Sequence, residues 1–191
     1  MVITKLEAND KCIIIDDCSK YYNPALQSTY LIDKTNQLKF DDISSREYQN
    51  KFILNEKEIP HFGFESSTIW IKFSIQNLLT TSPYLEIDNP VLDTIDYYLV
   101  NKGGLLVHQY TTGNHVKIEN RNLQSSDLMI DLNLTDDDTY TCYLKINSKS
   151  STILAPMGIA SLEKFYKLKN IKWKAYYNSF TATRRPYLLS P

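Results

Sequence analysis

Glycine is scarce: five in 191 residues, with no Gly-x-Gly-x-x-Gly or Gly-x-x-x-x-Gly-Lys run. The chain therefore lacks the loop that cradles a dinucleotide or a nucleoside triphosphate. Cysteine is scarcer still, with Cys12, Cys18 and Cys142 too few and too scattered for a disulfide framework or a four-ligand zinc site. They read as packed or free thiols. Cys12 and Cys18 could pair across a small loop in an oxidising compartment, a pairing that spacing alone leaves open. No apolar run approaches the roughly 18–20 residues needed to cross a bilayer, and Met1-Val2-Ile3-Thr4-Lys5 has no signal-peptide core. A formal charge of -1 supplies no basic surface of the kind nucleic-acid partners require.

Catalytic signatures are missing too. There is no Gly-x-Ser-x-Gly elbow, no His-Glu-x-x-His pair and no Cys-x-x-Cys, and His61, His108 and His115 stand alone in sequence. Paired acids such as Asp16-Asp17 and Asp41-Asp42 would face opposite ways on a strand, so they suit turns better than a glycosidase cleft. A structural calcium ion held by such acidic runs, Asp16-Asp17, Asp41-Asp42 or Asp136-Asp137-Asp138, is the metal alternative, and no EF-type spacing supports it. The chain is read as non-enzymatic, with no cofactor and no metal site.

What is present is a strand-forming pattern with abundant aromatics, including 14 tyrosines. Ile69, Ile71, Phe73 and Ile75 alternate with Trp70, Lys72 and Ser74, the period-two signature of a strand with one buried face. The same alternation covers residues 128–134 and 140–146. Thr135-Asp136-Asp137-Asp138-Thr139 lies between those two runs, and its turn chemistry predicts a hairpin. Further strands are expected over 12–16, 84–88, 95–100 and 105–111, the last two joined by Lys102-Gly103-Gly104. Another is expected over 151–160, with Pro156 marking an edge or a bulge. Residues 20–60 are less regular and read as loops with short strands or a helical turn. The pattern predicts an all-β fold: an antiparallel β-sandwich of jelly-roll type.

Charge divides the chain unevenly. Residues 162–191 carry seven basic side chains against Glu163 alone, a net +6, which leaves about -7 on the remainder given -1 overall. The expected organisation is a sandwich domain over 1–161 and a basic tail or linker over 162–191. Leu162, Phe165, Tyr166, Lys169 and Trp173 fall near helical spacing, so Leu162–Tyr177 is expected to be an amphipathic helix, either packing its aromatic face on the body or docking on a membrane or partner.

Several segments taken in order carry a family resemblance. Trp70-Ile71-Lys72-Phe73-Ser74-Ile75-Gln76-Asn77 has the form W-hydrophobic-R/K-x-x-hydrophobic-x-N, and Tyr84-Leu85-Glu86-Ile87 follows it. Val91-Leu92-Asp93 leading into Ile95–Leu99 comes next, then Gly113-Asn114 through Arg121, and then Tyr143–Ser148. This set resembles the second type of extracellular domain of seven-transmembrane receptors with diverse intracellular signalling modules (7TMR-DISM). The resemblance implies a jelly roll similar to carbohydrate-binding modules, placed outside the cytoplasmic membrane of a bacterium. It implies a ligand-sensing role, with a glycan or small molecule as ligand and an adjoining transmembrane module driving a histidine kinase or cyclase. Asn114 stands where the family often has Asp, and no membrane span follows Phe165.

The candidate ligand-facing residues are Arg121, Tyr98, Tyr84 and Trp70. The planar fork of Arg121 suits a hydroxyl-rich or anionic ligand, or an ion pair with the acidic body. Trp70 could cover the outer side of its sheet or line a groove. Asn77 suits a backbone-bonded turn, and Asp93 a cap on the turn before Ile95. A constitutive protein-interaction or homodimerisation module is the rival reading.

Overall fold

The computed structural model describes residues 11–170. Twelve strands run in chain order: β1 (Ile13–Ile15), β2 (Thr29–Asp33), β3 (Ile53–Leu54), β4 (His61–Gly63), β5 (Thr68–Asn77), β6 (Tyr84–Ile87), β7 (Thr94–Asn101), β8 (Leu106–Thr112), β9 (Leu128–Asp131), β10 (Thr139–Asn147), β11 (Ile153–Leu154) and β12 (Met157–Ala160). Two short helices, α1 (Phe40–Ser44) and α2 (Arg46–Gln49), lie between β2 and β3, and residues 162–170 form a further helix, α3.

The larger sheet has the order β3-β2-β5-β10-β7-β8, and β1 also pairs with β5. β2 takes the Thr68–Lys72 half of one β5 edge and β1 takes Ile75–Asn77 on that side. The β1 pairing is parallel, an exception to the antiparallel expectation. The smaller sheet has the order β12-β6-β9, and a two-stranded ribbon joins β4 to β11.

Alternation along each strand builds the core between the sheets. Ile69, Ile71, Phe73 and Ile75 of β5, Ile95, Tyr97 and Leu99 of β7, and Cys142, Leu144 and Ile146 of β10 point inward. They meet Leu85 and Ile87 of β6, Leu128 and Ile130 of β9, and Met157 and Ile159 of β12. The buried Tyr97 hydroxyl donates to the Leu132 carbonyl at 3.0 Å, so the core leaves this polar group satisfied.

The outer faces are covered as well. Over the larger sheet, α1 and α2 lay Phe40, Ile43 and Tyr48 on Trp70, Tyr98, Val100 and Tyr143. Over the smaller sheet, α3 buries Phe165 against Met129, Ala160 and Tyr84, with Tyr21 edge-on to its ring at 5.9 Å. The described part of the expected amphipathic helix thus packs Phe165 and Leu162 on the body, whereas Tyr166 of the expected face is exposed. Residues 171–177 of that expectation lie outside the described residues.

One expectation needs correction. β9 and β10 do not form a hairpin: β9 pairs with β6 in the smaller sheet, whereas β10 sits between β5 and β7 in the larger one. The acidic turn is real, with the Asp138 amide and the Tyr140 hydroxyl both donating to Asp136. The chain changes sheets before reaching it, however, with Asn133 at φ 54°. Alternation cannot tell a turn within a sheet from an arch between sheets, because both present the same inward face. Cys12, Cys18 and Cys142 are all free thiols, as their number and scatter suggest, and Cys12 and Cys18 do not pair.

Other features follow the residue pattern. β7 and β8 form the hairpin expected at Lys102-Gly103-Gly104, with Gly104 at φ 81°. The 151–160 strand breaks at Pro156 into β11 and β12.

Candidate functional site

The starts of β5 and β7 and the ends of β8 and β10 lie at one end of the sandwich, as the pairings Ile146 with Ile69, Asn147 with Thr94 and Ile95 with Thr112 require. The connections 64–67, 88–93, 113–127 and 148–152 therefore gather there. Loops on a rigid sheet end are where binding residues are commonly presented.

Asp93 organises this end. Its buried carboxylate accepts the amides of Lys149 (2.7 Å) and Ser150 (3.2 Å) and the Ser150 hydroxyl, and His115 Nε2 lies 3.5 Å away. It is a latch between the β7 and β10 loops rather than a cap on its own turn. The Ser150 hydroxyl chiefly, with the two amides, holds the Asp93 carboxyl below its ordinary value against the opposing effect of burial. Around it the chain is laced by backbone bonds: the Asn114 amide donates to Leu92 O at 2.7 Å and the His115 amide to Asp93 O at 3.0 Å. Gly113, at φ 130°, fits against the backbone of Asp93 and Thr94 where a Cβ would stand 2.8 Å from Thr94 Cα.

Arg121 serves the same assembly from the other side. Its side chain is 9% exposed, and the guanidinium donates to the carbonyls of Val116 (3.1 Å), Ser125 (2.9 Å), Ser126 (3.3 Å) and Gly113 (2.9 Å). A fork committed to four backbone oxygens is a loop clamp. Among the described residues its donors go to backbone carbonyls rather than to a carboxylate.

Trp70 and Tyr98 do come together, stacked at 5.8 Å, with Phe40 stacked on Tyr98 at 4.7 Å. Both are buried beneath α1 and α2, and burial pushes the Tyr98 hydroxyl up to about 12. Tyr84 lies on the smaller sheet, half-buried against Met129 and Phe165. The four candidates therefore do not form one surface. Asn77 matches its expected role, its side-chain amide donating to Leu79 O, Thr81 O and Leu134 O.

The accessible chemistry at the loop end belongs to residues that, Ser148 apart, the motifs did not mark. A shallow depression of about 290 Å³ is lined by Phe64, Glu65, Ser66, Ser148, Lys149 and Ser151. The Phe64 ring is 84% exposed, presented on the chain that leaves Gly63 at φ 72°. Glu65 turns inward to accept the Ser67 amide at 3.0 Å, which holds its carboxyl below the ordinary value. Ser148 and Ser151 share a hydroxyl hydrogen bond at 2.8 Å, with Ser148 buried and Ser151 partly exposed. The sequence signals available were Phe62-Gly63-Phe64 and the hydroxyl-rich run Ser148–Thr152. Among the described residues, no cluster of three or more His, Cys, Asp or Glu side chains could hold a metal ion.

The fold is thus a mostly β, antiparallel sandwich with helical covers. A family model described as 7TMR-DISM extracellular 2 matches residues 25–161, and the chain belongs to that family, whose description places its members as extracellular domains of seven-transmembrane receptors. No curated protein matches the chain significantly. Among solved structures, the lectin domain of lectinolysin complexed with Lewis B antigen is similar at 11% identity and a TM-score of 0.37, covering 73% of this chain and 96% of that one. A carbohydrate-binding module, TmCBM61, in complex with β-1,4-galactotriose is similar at 9% identity and a TM-score of 0.35, covering 70% and 88%.

Proposed function

We propose that this chain is the extracytoplasmic, periplasm-facing sensor domain of a bacterial membrane signalling receptor of the histidine-kinase or cyclase type, and that its ligand is a saccharide bound at the Phe64 depression. The domain itself is non-catalytic and needs no cofactor. The observation that carries the reading is an aromatic ring left 84% exposed over a depression that Ser66, Ser151 and Lys149 also line, with the 148–152 loop fixed from behind by Asp93. An exposed ring offers a face to the C–H side of a pyranose while the hydroxyls and the ammonium meet its oxygens. Held loops reduce the ordering cost of binding.

The test is thermal unfolding of the chain across a saccharide panel, with Phe64→Ala and Tyr98→Ala alongside. A saccharide at about 100 times its dissociation constant contributes about 2.7 kcal/mol. That is roughly 5–10 °C for a domain of this size. Phe64→Ala should lose the shift and Tyr98→Ala keep it. No shift across the panel, or one that survives Phe64→Ala, overturns the reading.

One feature favours the second reading, a constitutive interaction or homodimerisation module without a small ligand. β8 is the terminal strand of the larger sheet among the described residues, and Leu106–Thr112 carries no Asp, Glu, Lys or Arg, with Leu105, Leu106 and Val107 exposed. Uncharged edge strands are pairing surfaces that proteins usually protect. Sedimentation of the chain and of Val107→Lys separates the two: a dimer lost in the variant supports the module, and a monomer removes it.

A further inference from the structure

Lys169 of α3 sits between two acids, ion-paired with Glu86 of β6 at 2.7 Å and with Asp127 just before β9. Glu86 is nine-tenths buried, so release of Lys169 would leave an unpaired carboxylate in the protein; the clasp is closed or broken rather than graded. Burial alone would lower the Lys169 ammonium, but its ion pairs with Asp127 and Glu86 outweigh that and raise it. Beside the clasp, between Tyr21, Asp88, Phe165 and Leu168, lies a cavity of about 580 Å³, so α3 has room to shift on this side.

Asp127 is also the last residue of the connection that Arg121 holds. Arg121 binds the carbonyls of Ser125 and Ser126, one and two residues before Asp127, and through Gly113 O it binds the turn that closes on Asp93. Asp93 in turn holds the amides of Lys149 and Ser150, which flank the Phe64 depression. A continuous run of hydrogen bonds and short covalent steps therefore joins the depression to α3.

We propose that the Lys169 clasp couples the loop end to α3, so that occupancy of the depression and closure of the clasp favour one another and the position of α3 reports the ligand to the chain that follows. This rests on the depression being the ligand site. Arg121 acts here as a positioning residue, since it touches neither ligand nor clasp directly. Coupling between two sites is reciprocal, so opening the clasp must weaken binding by the factor by which ligand tightens the clasp.

The experiment has a ligand-free arm and a saccharide arm. In the first, hydrogen exchange is compared for wild type, Lys169→Gln, Asp127→Asn and Lys169→Arg. Coupling requires that Lys169→Gln and Asp127→Asn speed exchange in residues 162–170 and also in 113–121 and 147–152, with Lys169→Arg restoring protection. Faster exchange confined to 162–170 and the adjoining 123–129 overturns the proposal, because a purely structural clasp would do only that. In the second arm, the saccharide with the largest thermal shift on the wild type is titrated. Lys169→Gln should weaken it at least about fivefold, the lower end of measured coupling factors. Unchanged affinity in Lys169→Gln with binding still lost in Phe64→Ala overturns the coupling and leaves the sensor reading standing. Distant loops that loosen in the first arm while no saccharide binds would retain the mechanical link and remove the saccharide reading.

Discussion

Replacing Gly113 with alanine tests whether the loop end is held as tightly as its geometry requires. Gly113 has φ 130°, a backbone conformation that residues with a side chain rarely adopt, and holding one there costs about 1–3 kcal/mol. The added methyl would also stand 2.8 Å from Thr94 Cα and 2.9 Å from the Asp93 carbonyl carbon, and closer still to its oxygen. These are backbone atoms at the start of β7 and cannot rotate aside, so overpacking adds about 1–3 kcal/mol. Together the cost is about 2–6 kcal/mol, or a fall of roughly 4–24 °C in Tm. Gly104→Ala is the internal comparison. Gly104 also has positive φ, 81°, but a Cβ there would meet nothing within 4 Å, so only backbone strain of about 1–2 kcal/mol applies. Urea unfolding of both variants reads the difference directly. A Gly113→Ala variant within about 0.5 kcal/mol of wild type, or no worse than Gly104→Ala, would refute the close packing of Gly113 on Asp93 and with it the rigid loop end.

Phe40→Ala should destabilise by about 3 kcal/mol, because its ring stacks on Tyr98 over the outer face of the larger sheet, and should alter near-ultraviolet circular dichroism from Trp70. A change under about 1 kcal/mol would mean that α1 is not an integral cover. Stability should fall as pH drops below about 4. Asp93 and Asp33 both titrate below their ordinary value in the fold, so their contribution is complete above the unfolded value and lost as pH falls through the folded one. Asp93→Asn should flatten that acid limb; an unchanged limb would remove Asp93 from the account. Thiol labelling should find Cys18 reactive in the native state and Cys142 reactive only on unfolding, since Cys142 is enclosed and burial pushes its thiol up to about 12. Rapid native labelling at Cys142 would contradict the packed core.

Much of the architecture is legible in residue order because a strand needs only alternation to declare its buried face. Ile69, Ile71, Phe73 and Ile75 point inward as their spacing says, and Gly104 marks the β7–β8 hairpin because few other residues accept its backbone angle. The family is legible for a related reason. Asp93, Gly113 and Arg121 are separated in sequence but meet in one knot of hydrogen bonds, so their types and order are narrowly constrained.

Which sheet each strand joins was decided only in three dimensions. Leu128–Ile130 and Cys142–Leu144 carry the same alternation, yet they fall on opposite sheets, because inward faces look alike from either side of a core. The roles of the site residues were likewise settled by folding. Trp70, Tyr98 and Arg121 have the side chains of a binding surface, but α1, α2 and four backbone carbonyls claim them first. Phe64, which no motif singles out, is left with its ring in solvent. Exposure is a property of what packs on a residue, and neighbours distant in sequence determine it.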